Sequence, residues 1–372
     1  MNSTPDPPAV ANAEVGLSPS ETTMAQHLKS AGYATGLVGK WHLGHVEKFH
    51  PQSRGFDEFF GFLGGAHAYN PAPNRRAAGP NPIMRGRDAV DESEYLTDAL
   101  RREAVQFVDR HKAEPFFLYL AFNAVHTPLQ APPKYRDRFP GILDERRRTY
   151  AAMMSAMDDA IGAVLAKLKE SGLEEHTLVF FISDNGGPPG NASNNRPLRG
   201  HKASTWEGGI RVPFLLSWKG RLPAGKTYDH PVAQIDILPT ALAAAGVETK
   251  PEWQMDGVDL VPHLIGTNAS PPHSALYWRF GQQMAIRSGD WKLVKGRIGN
   301  GVAAANAGNL PVQLFNLSAD ASEQNDLSTK DPAKVKELEA HWKKWDAELK
   351  PPAWGPPVRA RQQARRRAAT GN

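Results

Sequence analysis

Residues 177–187 read Thr-Leu-Val-Phe-Phe-Ile-Ser-Asp-Asn-Gly-Gly. The first six are apolar, β-branched or aromatic and the run is too short for a helix, so it predicts a strand buried on both faces. Asp184 and Asn185 follow at its carboxyl end, the edge at which open α/β sheets bind ligands. Their oxygens suit a hard cation, Ca²⁺ or Mg²⁺, although on these residues alone an ordinary Asp-Asn-Gly turn is the simpler interpretation.

The charge of the chain is concentrated at one end. The 372 residues include 44 Lys+Arg and 39 Asp+Glu, a net charge of +5. The last sixteen positions contain no acidic residue and hold five of the arginines: Arg359, Arg361, Arg365, Arg366 and Arg367. Without these five, basic and acidic residues are equal in number. The high pI therefore does not indicate a nucleic-acid partner.

Composition excludes several other classes. The chain has no cysteine, which rules out disulfides, thiolate metal sites and a cysteine nucleophile within it. No apolar run reaches the roughly eighteen residues of a membrane helix, and residues 1–14 lack the apolar core of a signal peptide. We expect residues 1–15 and the Arg-rich tail 351–372 to be disordered.

Helices and strands are predicted to alternate along residues 16–266. Ser18 as N-cap, Pro19 at the first helical position and Glu21 closing a capping box mark the first helix. The predicted helices are 18–32, 93–111, 144–171 and 235–245, and the predicted strands are 33–39, 116–122, 177–182 and 210–218. This order favours an α/β fold in which helices sandwich a mixed, mostly parallel sheet.

Residues 267–350 have a different pattern and form a predicted second domain. Four short alternating stretches predict an antiparallel sheet. They lie at 276–280, 284–287, 291–295 and 313–317. One face of a following helix is apolar and could cover that sheet. Its residues are Val335, Leu338, Trp342, Trp345 and Leu349.

Polar residues recur where the predicted strands end. Lys40 and His42 follow the predicted strand 33–39, and His126 follows the strand 116–122. Lys202 lies in the Gly- and Asn-rich loop 188–204. Each has an ordinary explanation as a solvated strand end, loop histidine or surface charge. Their arrival at one sheet edge favours a site instead. The loop 45–88 is long enough to be a binding region.

Residues 32–44, Gly-Tyr-Ala-Thr-Gly-Leu-Val-Gly-Lys-Trp-His-Leu-Gly, resemble the second signature of the type I sulfatases. Further segments resemble the family in its own order. They are Arg54-Gly55-Phe56-Asp57, residues 116–122 ending in His126-Thr127-Pro128, residues 183–187, Lys202 with residues 206–213, residues 236–240, and residues 314–317. The resemblance covers residues 17–347, is greatest to arylsulfatase and N-acetylgalactosamine-6-sulfatase-like enzymes, and implies the alkaline-phosphatase-like fold.

The resemblance also implies roles for individual residues. Asp184 and Asn185 would be Ca²⁺ ligands, and Lys40 and Lys202 would hold sulfate oxygens. His42 and His126 would handle protons at the nucleophile and the leaving oxygen. The chemistry is consistent with these roles, because a sulfate ester becomes electrophilic only when the charge of its oxygens is offset. His67, Tyr69, Arg199 and His201 are weaker candidates for a substrate pocket, with surface loop residues as the alternative.

The chain departs from the family at the nucleophile. The family's Cys/Ser-x-Pro-Ser-Arg motif, whose first residue becomes formylglycine, is absent, since residues 17–21 read Leu-Ser-Pro-Ser-Glu. The family's first strand, which ends in paired aspartates, is also missing, and Ca²⁺ needs six to eight oxygens. Either the assigned start is displaced or the gene is split, so that these residues are a piece of an active sulfatase, or the protein is a real truncated form. We expect no turnover and poor stability for these 372 residues.

Three functions follow from the resemblance. The first is a Ca²⁺-dependent sulfatase that acts on a sulfated sugar or an aryl sulfate. The second is a phosphodiesterase or phosphonate hydrolase of the same superfamily, and the third is a non-catalytic binder of sulfated glycans. A neutral body without a basic patch disfavours the third. The family is periplasmic, extracellular or lysosomal, which is the localisation that the resemblance implies.

Overall fold

The computed structural model describes residues 15–71, 81–297 and 310–350. The disorder predicted for residues 1–15 and 351–372 lies outside these ranges, apart from residue 15. The chain divides into two compact units. Of the described residues, the first unit holds those up to Ser183 with 188–194 and 213–272, and the second holds 184–187, 195–212 and those from His273. The predicted boundary at residue 267 stays a prediction.

The described ranges contain strands and helices in alternation. The strands are β1 (Ala34–Lys40), β2 (Glu58–Phe62), β3 (Met84–Arg85), β4 (Asp88–Ala89), β5 (Phe116–Ala121), β6 (Val179–Ile182), β7 (Phe214–Ser217), β8 (Leu276–Phe280), β9 (Gln283–Ser288), β10 (Trp291–Lys295) and β11 (Gln313–Asn316). The α-helices are α1 (Met24–Ser30), α2 (Leu96–His111), α3 (Pro133–Arg136), α4 (Glu145–Glu170), α5 (Glu207–Ile210), α6 (Ile237–Ala244), α7 (Val261–Leu264) and α8 (Pro332–Glu348).

The main sheet of the first unit has the order β4-β3-β2-β1-β5. Strand β1 is parallel to both neighbours, with Val38 opposite Phe60 on β2 and Leu120 on β5. Its five central residues are buried because it has a partner on each side. Helix α2 packs against β1 and against α4, and its residues Ala99 and Leu100 share one apolar cluster with Val38 and Phe60. The predicted mixed, mostly parallel sheet with helices is confirmed.

Strand β6 lies outside that sheet and pairs antiparallel with β7. All four of its residues are half-buried, so the predicted burial on both faces is wrong. The physical reason is pairing: among the described residues β6 has one strand neighbour, as has β5 at the edge of the main sheet. Strand β5 is likewise mostly half-buried, although its sequence is apolar on both faces.

Helix α1 begins later than predicted. Its N-cap is Thr23, and the capping box is closed by Gln26 instead of Glu21. The carbonyl oxygens of Ser18 and Glu21 instead accept hydrogen bonds from the guanidinium of Arg54. The sequence contains two capping patterns in a row, and the helix uses the second, while the first contacts Arg54.

The second unit contains the antiparallel sheet β11-β10-β9-β8. Helix α8 covers it, since Leu338 lies in one buried cluster with Ile286, Leu293 and Leu314. The predicted sheet and its covering helix are therefore confirmed.

The predicted strand 210–218 is shorter than expected, because Glu207–Ile210 forms the helical turn α5 before β7 begins.

Within the described ranges no helix is both long and apolar enough to cross a membrane.

Candidate active site

The end of β1 presents Lys40 and His42 on either side of a buried tryptophan. Trp41 is 6% exposed, and its indole N–H donates to the carbonyl of Phe49 at 2.8 Å. The next residue, His42, is in the left-handed region with φ 56° and is exposed. Its backbone N–H bonds to the carbonyl of Leu63 at 3.0 Å. The buried indole thus fixes the backbone from which both polar side chains project.

The imidazole of His42 lies close to the backbone of Gly65. A Cβ at position 65 would come within 2.7 Å of two ring atoms, Cε1 and Nε2. Only a glycine leaves the ring in this place, so Gly65 is part of the site's construction. Gly65 belongs to the loop 45–88, whose role as a binding region stays a prediction, and residues 72–80 of that loop lie outside the described ranges.

His126 follows β5 and is held by its own backbone. Its N–H donates to the carbonyl of Asn123 at 2.9 Å, which closes a tight turn, and its Nδ1 lies 2.8 Å from the carbonyl of Thr127. Because β1 and β5 are parallel neighbours, their carboxyl ends meet at one edge. The structure therefore brings Lys40, His42 and His126 to the same edge of the main sheet.

Tyr69 supports this turn from inside the protein. The side chain is 1% exposed, and its hydroxyl lies 2.6 Å from the carbonyl of Asn123 and 2.9 Å from that of His126. Burial raises the pKa of Tyr69 far above its ordinary value, so the hydroxyl stays a hydrogen-bond donor. Tyr69 is a buried supporting residue, and its sequence neighbourhood carried no signal of that role.

His67 is placed by the same hydrogen-bond network. Its Nδ1 lies 2.6 Å from the carbonyl of Ala68, and its own carbonyl accepts from the side-chain amide of the buried Asn123 at 2.7 Å. The ring packs 5.3 Å from that of Phe62. Burial lowers the pKa of His67, which keeps the imidazole neutral near pH 7.

A cavity of about 340 Å³ lies directly after His126. Thr127 and Leu129 line it from the β5 loop. Glu145, Arg146 and Thr149 line it from the first turns of α4. No pattern in the sequence of α4 marks its first turns as the wall of this cavity, because the opposite wall comes from a loop close to twenty residues earlier in the chain.

Asp184 and Asn185 belong to the second unit and stand at a backbone crossing. The N–H of Gly186 bonds to the carbonyl of Gly209 at 3.0 Å. The N–H of Gly187 bonds to the side chain of Asn195 at 2.9 Å. Two successive residues after Asn185 are thus hydrogen-bonded to residues 195–212, the segment that also carries Lys202.

Lys202 occupies the tip of a tight turn. The N–H of Ser204 bonds to the carbonyl of His201 at 3.1 Å, and Ala203 between them has φ 68°. The hydroxyl of Ser204 donates to the same carbonyl at 2.7 Å. A left-handed residue directly after Lys202 costs free energy, so the surrounding contacts must impose it.

The two remaining candidates are packing residues of this turn. The guanidinium of Arg199 lies 3.9 Å over the ring of Trp206 and donates to the carbonyl of Glu323 at 2.9 Å. His201 is 8% exposed, and its Nδ1 lies 2.9 Å from the carbonyl of Lys202. Both side chains support the backbone on which Lys202 stands.

Asp184 and Asn185 offer carboxylate and amide oxygens, the ligand type that a hard cation prefers. Two side chains alone fall short of the six to eight oxygens that Ca²⁺ takes. Within residues 15–71, 81–297 and 310–350, no three His, Asp or Glu side chains form a group that could hold a metal ion. Any cation here would take further oxygens from elsewhere.

The predicted site residues thus form two described groups. Lys40, His42 and His126 share the edge of the main sheet, and Asp184, Asn185 and Lys202 share the connected loops of the second unit. That all six meet at one centre stays a prediction.

Known proteins resemble this chain over most of its length. The profile of the family described as Sulfatase matches residues 1–247. Arylsulfatase J of Mus musculus is 33% identical over 365 aligned residues, which cover 85% of this chain and 60% of that protein. N-acetylgalactosamine-6-sulfatase of Canis lupus familiaris is 34% identical over 296, covering 74% and 55%. The chain therefore spans little more than half the length of these relatives.

A solved structure extends the comparison to the fold. The crystal structure of Ps i-CgsB in complex with k-i-k-neocarrahexaose superposes with a TM-score of 0.86 at 36% sequence identity. It covers 95% of this chain and 80% of that chain. The likeness includes both the main sheet and the smaller antiparallel sheet, since so little of this chain is left unmatched.

Proposed function

Because this chain belongs to the sulfatase family, we propose that it is a sulfuric ester hydrolase acting on a sulfated sugar or an aryl sulfate. The reaction is R–O–SO₃⁻ + H₂O → R–OH + HSO₄⁻. The sulfur–oxygen bond to the ester breaks, and the departing alkoxide takes up a proton.

The observation that carries this proposal is the geometry around Trp41. A buried indole holds Lys40 and His42 at the carboxyl end of β1, and the parallel strand β5 delivers His126 to the same edge. One ammonium group and two imidazoles at a single sheet edge suit a substrate that is anionic and needs proton transfer.

Each residue then has a chemical task. The ammonium groups of Lys40 and Lys202 offset negative charge on the sulfate oxygens, which makes the sulfur easier to attack. His42 and His126 transfer protons at the attacking and departing oxygens, a task suited to imidazole near neutral pH. Tyr69 fixes the backbone of His126 and so the position of its ring.

Asp184 and Asn185 would hold a Ca²⁺ ion together with oxygens from outside this pair, and Mg²⁺ is the alternative hard cation. When bound, such an ion would stabilise charge on the sulfate oxygens. The relatives' names support a sulfated substrate, and the complex of Ps i-CgsB with a neocarrahexaose supports a saccharide.

The nucleophile is missing from the 372 residues. They include no cysteine and no Ser-x-Pro-Ser-Arg sequence, so no residue here fits the precursor of formylglycine. We therefore expect these residues alone to bind sulfate esters without turning them over.

The first experiment is to translate the DNA upstream of the Met1 codon in frame and to express the longest open frame. If that frame supplies Cys- or Ser-x-Pro-Ser-Arg, the longer protein should hydrolyse an aryl sulfate. Lys40→Ala and His126→Ala should then each lower kcat/KM by at least about a hundredfold.

The same assay separates the alternatives. Faster turnover of an aryl phosphate diester than of an aryl sulfate would identify a phosphodiesterase. Binding of a sulfated oligosaccharide without release of sulfate, in a protein whose frame adds no nucleophile, would identify a glycan binder. Hydrolysis at enzymatic rates by the 372 residues alone would contradict the expected inactivity.

A further inference from the structure

Three charged side chains meet in the interior of the second unit, and none belongs to the proposed reaction. The ammonium of Lys292 on β10 lies 2.8 Å from Glu207 Oε1 and 2.8 Å from Glu323 Oε1. The side chains of Lys292 and Glu323 are 0% exposed and that of Glu207 is 3% exposed. We call these three residues the buried charge cluster.

The buried charge cluster is an expensive way to stabilise a fold. Two carboxylates share one ammonium, and burial raises the pKa of Glu323 while Lys292 opposes the rise. A buried ion pair is often no more stable than apolar residues of the same size. Its use here suggests that it selects one backbone arrangement, as buried polar groups do in some proteins.

The arrangement that it selects is the turn carrying Lys202. Glu323 binds both sides of that turn. Its carbonyl accepts from Arg199, which precedes the turn, at 2.9 Å, and its carboxylate accepts from the backbone N–H of Glu207, which follows it, at 2.8 Å. The N–H of Gly208 also bonds to the carbonyl of Arg199, so the two sides close on each other.

Glu323 is itself held in an unusual conformation. Its φ of 54° lies in the left-handed region, which a non-glycine residue adopts at a cost. Asp320 imposes it: the carbonyl of Asp320 accepts from the N–H of Glu323, and its carboxylate accepts from the N–H groups of Gln324 and Asn325. The contacts with Asp320 therefore fix the backbone of Glu323 locally, independently of its contacts with the turn.

The turn is further fixed against β9. The side-chain amide of Gln283 donates to the carbonyl of Ala203 at 3.1 Å, and the hydroxyl of Thr205 donates to that of Met284 at 3.3 Å. These contacts reach the turn from β9, whereas Glu323 reaches it from the loop after β11. Together these contacts hold the backbone on both sides of Lys202.

We propose that Glu323, with Lys292 and Glu207, is a positioning residue that holds the Lys202 ammonium where a sulfate oxygen binds. This rests on the role of Lys202 in the proposed function. The antiparallel sheet of the second unit is then a platform for a sulfate-binding residue and not only a structural appendage. Glu323 itself touches no substrate.

The test is a double-mutant cycle in the full 372-residue chain. Binding of inorganic sulfate and of para-nitrophenyl sulfate is measured by calorimetric titration for wild type, Glu323→Ala, Lys202→Ala and the double variant. We expect each single change to weaken binding about tenfold and the double variant to bind no more weakly than Lys202→Ala. Glu323→Gln, which keeps an acceptor for Glu207, should recover most of the affinity.

A matched control separates positioning from general stability. Asp346→Ala removes the 2.7 Å ion pair with Arg279 in the same unit and should leave sulfate affinity unchanged. Hydrogen exchange gives a readout that needs no ligand. Glu323→Ala should speed exchange in residues 199–209 while β8 to β10 stay protected.

The outcomes are distinguishable. An equal loss of affinity from Glu323→Ala in the wild-type and Lys202→Ala backgrounds would overturn the proposal. If the wild-type chain binds no sulfate ester, the proposed function fails and hydrogen exchange decides the role of the cluster. Faster exchange confined to residues 199–209 then supports positioning of the turn, and a uniform rise across the antiparallel sheet refutes it.

Discussion

At the scale of single residues, close backbone contacts decide where the candidate site can accept a side chain in place of glycine. Gly186 follows Asp184 and Asn185 directly, and a Cβ there would lie 1.8 Å from the carbonyl oxygen of Gly208. Backbone meets backbone at this point, so no side chain can move aside to make room. The glycine at position 186 therefore serves a close crossing of two backbone segments, which a residue with a Cβ would block.

Gly186→Ala should therefore destabilise the protein by about 1–3 kcal/mol, as overpacking does elsewhere. It should also displace Asp184 and Asn185. Urea denaturation measures the first effect. The control is Gly162→Ala in α4, where a Cβ meets nothing within 4 Å and should stabilise by about 0.5–1 kcal/mol. If both substitutions changed the free energy of unfolding equally, the close backbone crossing at Gly186 would not be the cause.

His111 predicts a pH dependence of stability. Its Nε2 lies 2.8 Å from Glu58 and its Nδ1 lies 2.7 Å from Glu114. Burial lowers the pKa of His111, but these two carboxylates outweigh burial and raise it above its ordinary value. The folded state thus binds the proton more tightly than the unfolded state. This stabilisation is complete below the unfolded pKa of about 6.5 and is lost as pH rises through the folded pKa.

The free energy of unfolding of wild type relative to His111→Gln should therefore fall between about pH 5.5 and about pH 8.5. We expect a change below about 1 kcal/mol, because both carboxylates are partly solvated. Denaturant titrations at the two pH values measure it. Glu114→Gln serves as the comparison and should keep part of the slope, since Glu58 remains. A slope unaffected by His111→Gln would refute the assignment.

At the scale of elements, β5, β6 and β7 each have a single strand neighbour among the described residues. Strand β5 ends the main sheet, and β6 with β7 forms a separate pair. Strands as apolar as β5 and β6 usually lie in the centre of a sheet. Here each has one neighbouring strand, and for that reason most of their residues are only half-buried. Among the described residues, β6 and β7 pair only with each other and form a sheet separate from the main one.

Open apolar edges favour association between copies, so the purified chain should self-associate as its concentration rises. Leu215 on β7 is 56% exposed, and Leu215→Lys should reduce the association. Sedimentation velocity measures the effect. Leu143→Lys changes a leucine that is 91% exposed in a loop and is the matched control. If both substitutions act equally, the association depends on general hydrophobicity and not on strand edges.

At the scale of the whole molecule, charge and fold are separable. The five tail arginines account for the entire net charge of +5, and residues 1–350 are balanced. Retention on a cation exchanger at neutral pH should therefore be lost when residues 351–372 are removed. Replacing the five arginines by glutamine should have the same effect as removal. Retention that survives both changes would indicate a basic surface on the folded units.

Local sequence determined much of this protein: the alternation of helices and strands, the antiparallel sheet with its covering helix, and the polar residues that end β1 and β5. These follow from periodicity and short motifs, which act over a few neighbouring residues. The tertiary structure decided how those residues are held. Tyr69 reaches His126 across 57 positions, and Glu323 reaches Glu207 across 116. A buried hydroxyl or carboxylate has no local pattern, because its partner is chosen by the packing of distant segments.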